Sequence, residues 1–312
     1  MVGWHLLLLL LVEIALYGAA ARYVHMEHGW SIAGAIALAV SIYVGVRVVL
    51  IAAEFALTRW TGPSIPEALR VPPSGLVTMY LRELGGWLLM FGFVMPFVLS
   101  RRSVLDRPAG MDTGTLPLLL VHGLACNRGN WFWFRRQLER RGFTVYTVDY
   151  TPPFARIASY APSLARAIDE VLEATGAERL VLIGHSMGGL VSRAYLDRFG
   201  TGKVAHVITL GTPHLGTWMA RLGIGPNMRD MAMDSAWLSA LREREAAQSE
   251  NPYARFTCVY TYHDNLVTPQ PNATLPGAEH IALSGIGHLS LALSGRVVDQ
   301  VLRVLARVLR AK

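Results

Sequence analysis

The residues with the clearest chemical potential lie in Leu180-Val181-Leu182-Ile183-Gly184-His185-Ser186-Met187-Gly188-Gly189. An apolar, β-branched run stops at Gly-x-Ser-x-Gly, and a helix-like segment follows. In that context the serine sits on a nucleophile elbow, a turn so sharp that its hydroxyl stands clear at the top of a sheet. The positions two before and two after must be small, and Gly184 and Gly188 meet that need. A serine hydroxyl becomes a nucleophile when a base takes its proton and an acid orients the base. In this strand–turn–helix setting the chain order is serine, acid, histidine. Asp264 follows the strand-like run Phe256–Tyr262 and is the candidate acid. His288, in Gly285-Ile286-Gly287-His288, is the candidate base. Asp230, Asp234 and Asp299 are rival acids. The bland alternatives are an inert serine, a turn-forming Asp264 and a helix-capping His288.

A carbonyl attacked by Ser186 develops an oxyanion, which needs two preorganised N–H donors. The amide of Met187, directly after the nucleophile, is one candidate. Leu124, in Val121-His122-Gly123-Leu124-Ala125, is the other. His122, His185 and His263 read as structural. His214 also reads as structural rather than catalytic, and with Trp131, Leu215 and Trp218 it is a candidate for substrate contact.

These groups need a rigid frame. From Leu116 the chain alternates strand-like and helix-like segments, which predicts an α/β fold with a mostly parallel sheet and helices on both faces. Strands are expected at 116–121, 143–149, 179–184, 204–210, 256–262 and 280–283. Helices are expected at 130–141, 161–175, 187–199 and 289–309. Residues 217–255 are an insertion that the sheet does not need. Its methionines suit a lid over varied apolar chains, and a fixed cap domain is the alternative.

Residues 1–100 read differently. The runs Trp4–Val24, Trp30–Leu57 and Leu84–Ser100 are largely apolar, and a bilayer-spanning helix takes about 20 such residues. Two to three transmembrane helices are expected. The third run could instead be an interfacial or re-entrant helix kinked at Pro96. A cleaved leader at Ala19-Ala20-Ala21 and a soluble helical bundle are the competing readings. Glu13, Arg47 and Glu54 lie inside these runs and should pair or face a bundle interior. Residues 101–115 read as a linker and 116–312 as the catalytic unit. Arg101, Arg102 and Arg107 weakly favour a cytoplasmic catalytic unit on a multi-pass inner-membrane anchor.

Over 312 residues the chain is 52% hydrophobic and 16% charged, which exceeds what one soluble domain needs. Its net charge of +7 comes from arginine, since Lys203 and Lys312 are its only lysines. No basic block, zinc pattern or aromatic RNA-binding motif argues for nucleic acid. Cys126 and Cys258 imply no disulfide framework or metal site.

Together, His122-Gly123, the elbow, Leu210-Gly211-Thr212-Pro213-His214-Leu215-Gly216-Thr217, Asp264 and His288 resemble the α/β-hydrolase superfamily, in particular its bacterial lipase branch. The resemblance covers residues 116–310. It implies a Ser186–His288–Asp264 triad, Leu124 and Met187 as oxyanion donors, and no cofactor. The stretch after His288 lacks the carboxylate that many relatives use for structural calcium, so no metal is expected. The expected activity is cleavage of lipid carboxylic esters at a membrane. An acyltransferase or thioesterase using the same triad and a non-catalytic lipid-binding protein are the alternatives. Oligomeric state is not legible.

Overall fold

A computed structural model describes residues 2–99, 116–248 and 251–310. The expected linker 101–115 lies outside the described residues. Six strands form one parallel sheet: β1 Leu118–Val121, β2 Val145–Val148, β3 Leu180–His185, β4 Val204–Leu210, β5 Phe256–Thr261 and β6 Glu279–Leu283. Their spatial order is β2-β1-β3-β4-β5-β6. The order reverses direction at β1, where β2 lies on one side and β3 on the other. In open parallel sheets the crevice beyond the strand ends at such a switch is where ligands bind. The register pairs Val121 with Gly184, so β1 and β3 run out together, just before Gly123 and Ser186.

The strands are apolar at nearly every position because both faces are covered. Even-numbered Leu180 and Leu182 join one buried layer with Ile168 and Leu190. Odd-numbered Val181 and Ile183 join the opposite layer with Phe134, Leu138, Val301 and Leu305. The two-residue period of a strand thus builds two cores on one sheet.

Nine helices are described: α1 Val2–His28, α2 Ile32–Thr61, α3 Pro73–Leu89, α4 Phe132–Glu139, α5 Ala161–Thr175, α6 Met187–Phe199, α7 Pro226–Met231, α8 Ala236–Ala246 and α9 Gly295–Arg310. α9 buries Val297, Val298, Val301, Val304 and Leu305, the i, i+3, i+4 stripe of an amphipathic helix. It starts later than the expected 289–309. A separate 3₁₀ turn, Leu289–Leu293, precedes it, and the chain turns extended at Ser294. Similarly, α4 is preceded by a 3₁₀ turn at Arg128–Trp131.

α1 and α2 are long and apolar enough to cross a membrane. Arg47 of α2 pairs with Glu13 of α1, and its guanidinium lies over the Tyr43 ring. Each buried charge therefore has a partner, as an apolar setting demands. The third apolar run is not a continuous α-helix. α3 passes into a π-helical turn at Met90–Val94 and then a 3₁₀ turn at Met95–Phe97, which contains Pro96. Proline removes a backbone donor and disrupts the preceding turn. Met90 and Met95 are fully buried in a cluster with Cys126 and Leu289, so this segment docks on the sheet domain.

Within 217–255, α8 is tied to α6. Arg193, fully buried, donates to Glu245 Oε1 at 3.0 Å and to the His214 carbonyl at 2.8 Å. Tyr253 Oη donates to Glu245 Oε2 at 2.8 Å. By contrast, Leu222, at the end of the 3₁₀ turn Trp218–Leu222, and Ile224 just after it are exposed, Ile224 at 95%. Glu245→Ala strands the Arg193 charge in the interior and should lower stability by about 3–5 kcal/mol. Denaturant unfolding of the purified chain checks this, with Arg242→Ala on the same helix as a mild control.

Candidate active site

Ser186 sits between β3 and α6 with φ 54° and ψ −126°, a conformation costly for a residue with a Cβ. Its surroundings hold it there. Its N–H donates to the Leu210 carbonyl at 2.9 Å. Its carbonyl accepts from Thr212 Oγ1 at 2.8 Å. A Cβ on Gly184 would lie 2.6 Å from the Gly189 nitrogen, and one on Gly188 would strike the Val121 carbonyl. The small residues around the serine are thus demanded by backbone packing on both sides of the bend.

The loop after β1 approaches the serine just as closely. A Cβ on Gly123 would come within 2.9 Å of Ser186 Cβ. His122 stacks on Tyr150, with centroids 4.2 Å apart, and its Nδ1 donates to the Gly123 carbonyl at 3.0 Å. Asp149, just beyond β2, accepts from the Arg128 N–H at 2.7 Å and from its guanidinium at 2.8 Å. These contacts brace the turn that carries Leu124. Met187 is the first residue of α6, so its N–H has no partner within the helix.

His288 is buried, and its Nδ1 lies 3.0 and 2.9 Å from the two Asp264 carboxylate oxygens. Asp264 Oδ1 also accepts from the Leu266 and Val267 amides at 2.8 and 2.7 Å, which fixes the carboxylate. The His288 carbonyl accepts from His185 Nε2 at 3.0 Å. Burial, followed by the adjacent His288, pushes His185 down to about 3, so His185 stays neutral. Burial on its own lowers the basicity of His288. The Asp264 charge and hydrogen bond, with Glu83 and Glu54 behind them, outweigh it, and the net shift is upward from 6.5. The two adjacent imidazoles are thus pushed in opposite directions, His185 down and His288 up.

Ser186 and His288 face one cavity of about 350 Å³, together with Gly123 and Leu124. Ser186 Oγ has no hydrogen-bond partner among the described residues. Ligand-free sites commonly show this looseness and tighten when substrate binds.

The expected substrate-contact residues do not line this cavity. Trp131 is fully buried between Phe134 and His185, with ring centroids 5.4 and 6.2 Å away. His214 is fully buried and bonds Thr209 Oγ1 at 3.0 Å. Leu215 is held through its N–H by the Asn272 carbonyl at 3.0 Å. Trp218 opens a 3₁₀ turn whose neighbours Thr217 and Met219 line the cavity, while Trp218 does not. The apolar walls come instead from Ile51, Trp87, Phe91, Met219, Leu222 and Met228. Within the Gly211–Thr217 stretch Pro213 and Thr217 line the cavity, and the other residues are scaffold. A Cβ on Gly211 would press on Asp264 and His288, and Thr212 holds the serine carbonyl.

Two acidic residues that the sequence did not place at the site, Glu54 of α2, expected only to pair or to face a bundle interior, and Glu83 of α3, both line the cavity. Among the described residues, no group of three or more His, Cys, Asp or Glu side chains is arranged to hold a metal ion.

Residues 117–255 match the alpha/beta hydrolase fold family. A triacylglycerol lipase of Pseudarthrobacter phenanthrenivorans is 36% identical over 116 residues, covering 33% of this chain and 35% of that protein. One from Burkholderia plantarii is likewise 36% identical over 116 residues, covering 33% and 31%. The chain thus aligns with about a third of the length of these curated relatives. The structure of the mature Bacillus licheniformis lipase BlEst2 superposes with a TM-score of 0.57 at 20% identity, covering 65% of this chain and 96% of that one. Aspergillus fumigatus lipase B also gives 0.57, at 17% identity, covering 67% and 58%. These superpositions show the α/β-hydrolase fold.

If neutral His288 activates Ser186, the rate of serine modification by a fluorophosphonate should rise through one ionisation above pH ~6.5. Asp264→Asn should slow that reaction by about 10²–10⁴-fold and move the ionisation to lower pH. Stopped labelling across pH 5–9, roughly two units either side of a histidine's range, checks both.

Proposed function

We propose that this chain, an α/β hydrolase in its fold, is a membrane-anchored serine hydrolase that cleaves carboxylic esters of lipids. The observation that carries the reading is His288, bonded through Nδ1 to a fixed Asp264 and sharing an apolar cavity with Ser186. Ser186 Oγ attacks the ester carbonyl as His288 Nε2 takes its proton. The tetrahedral oxyanion is held by the Leu124 and Met187 amides. His288 then gives its proton to the leaving alcohol, and Ser186 keeps the acyl group. Water, deprotonated by the same imidazole, attacks the acyl-enzyme. The acid departs and the serine recovers its proton.

The substrate class follows from the walls. Ile51 belongs to a helix apolar enough to span a bilayer, and Trp87 and Phe91 come from the segment after it. An apolar chain drawn from lipid would meet apolar surface along this route. The likeness to two triacylglycerol lipases supports an acyl ester, and acylglycerols or phospholipids are the leading candidates.

A panel of acylglycerol, phospholipid and short-chain esters, offered to the detergent-solubilised chain, tests this. Wild type should release free acid and take up a fluorophosphonate. Ser186→Ala should lose both, with turnover down by about 10⁴-fold or more. Labelling that survives Ser186→Ala overturns the assignment. Transfer of the acyl group to an added alcohol or thiol, in place of acid release, would make the protein an acyltransferase, and acid release from an acyl thioester in preference to the oxygen esters would make it a thioesterase.

A further inference from the structure

The loop carrying His288 is gripped by the N-terminal helices as well as by its own sheet. Glu83 of α3 is buried, and its two carboxylate oxygens accept from consecutive amides: Leu289 N–H at 2.7 Å and Ser290 N–H at 2.9 Å. These amides open the 3₁₀ turn Leu289–Leu293. His288 caps that turn by position, but its side chain supplies no capping bond. Glu83 therefore provides, from more than 200 residues away, the capping acceptor that the turn lacks. The fit is close. A Cβ on Gly287 would meet Glu83 Cδ at 2.5 Å, and one on Gly86, a turn further along α3, would meet Leu293 Cδ1 at 3.0 Å.

The preceding amide is held by a second helix. His288 N–H donates to Asn265 Oδ1 at 2.9 Å, and Asn265 Nδ2 donates to Glu54 Oε2 at 2.7 Å. Three successive N–H groups, at 288, 289 and 290, are thus fixed by carboxylates of α2 and α3, directly or through one asparagine.

We infer that Glu83, and Glu54 acting through Asn265, are positioning residues that hold the His288 imidazole against Ser186, so that the N-terminal helices are part of the active site as well as an anchor. Packing alone does not account for them. An aliphatic side chain would fill the same space, and a carboxylate is costly to bury unless its hydrogen bonds are used. Burial pushes the pKa of the Glu83 carboxyl up, and its hydrogen bonds to Ser290 and Leu289 oppose the rise without cancelling it. The charged and titratable groups facing His288 are Asp264 beyond β5, Glu54 on α2, Glu83 on α3 and His185 on β3.

This inference rests on the proposed nucleophile and base. The test uses the full-length chain in detergent with a soluble short-chain ester. Glu83→Gln keeps the shape but presents an NH₂ to one of the two amides. Its kcat should fall about 10- to 100-fold with KM nearly unchanged, as expected when a reacting group is displaced. The acidic limb of kcat/KM should move to lower pH, because His288 loses a neighbouring negative charge. Glu54→Gln should lower kcat by a smaller factor, again with KM nearly unchanged. A folded Glu83→Gln with wild-type kcat and limb overturns the inference. If Glu83→Gln does not fold, Glu54→Gln decides: a lowered kcat at nearly unchanged KM supports the inference and a wild-type kcat overturns it. Failure of the underlying reading looks different, since Ser186→Ala would then keep its activity.

Discussion

The structure depends on holding one buried imidazole still. A histidine that relays a proton must present Nε2 to the nucleophile and keep Nδ1 occupied, or its tautomer and direction are lost. Here Asp264 occupies Nδ1, and two backbone amides clamp Asp264 in turn. The backbone of His288 is fixed at both of its polar groups, the N–H by Asn265 and the carbonyl by His185. This density of contacts is needed because the residue lies on a loop beyond β6, away from any regular ladder. Glycines at 285 and 287 let that loop pass close to its neighbours, and at 287 the space is taken by Glu83.

The sheet supplies the other half of the geometry. Parallel strands end in register, so the turn after β1 and the turn after β3 meet at one edge. Backbone crowding there leaves room only for glycine at 123, 184 and 188, and it holds Ser186 in a conformation it would not choose alone. Residues 217–255 divide into a fixed part and an open one. α8 is locked to α6 through the buried Arg193–Glu245 pair, whereas Leu222 and Ile224 stay exposed beside the cavity.

Much of this was readable from the chain itself, for identifiable reasons. The alternation of strands and helices, the elbow and the order of Ser186, Asp264 and His288 all rest on local pattern and on spacing along the sequence. Side-chain direction is not local. Trp131 follows the turn after β1, yet it faces the layer shared by α4 and the sheet and packs in the core. His214 and Leu215 sit in a motif that braces the elbow, and neither lines the cavity. Glu54 and Glu83 left the faintest trace. In sequence they are interruptions of apolar runs, and nothing nearby names a partner some 200 positions away. The third apolar run was legible in part, since a kink at Pro96 was one of its two readings. Its length suggested a span, but Pro96 and the π-helical turn bend it onto the sheet domain, where Met90 and Met95 are buried.

A double-mutant cycle on Asp264 and His288 probes the central claim most directly, read as kcat/KM on one soluble ester. Groups that act as one catalytic unit lose almost everything with the first substitution. The account predicts that Asp264→Asn combined with His288→Ala is scarcely slower than His288→Ala alone. Losses that simply multiply would mean that the carboxylate and the imidazole act independently, and the relay described here would be contradicted.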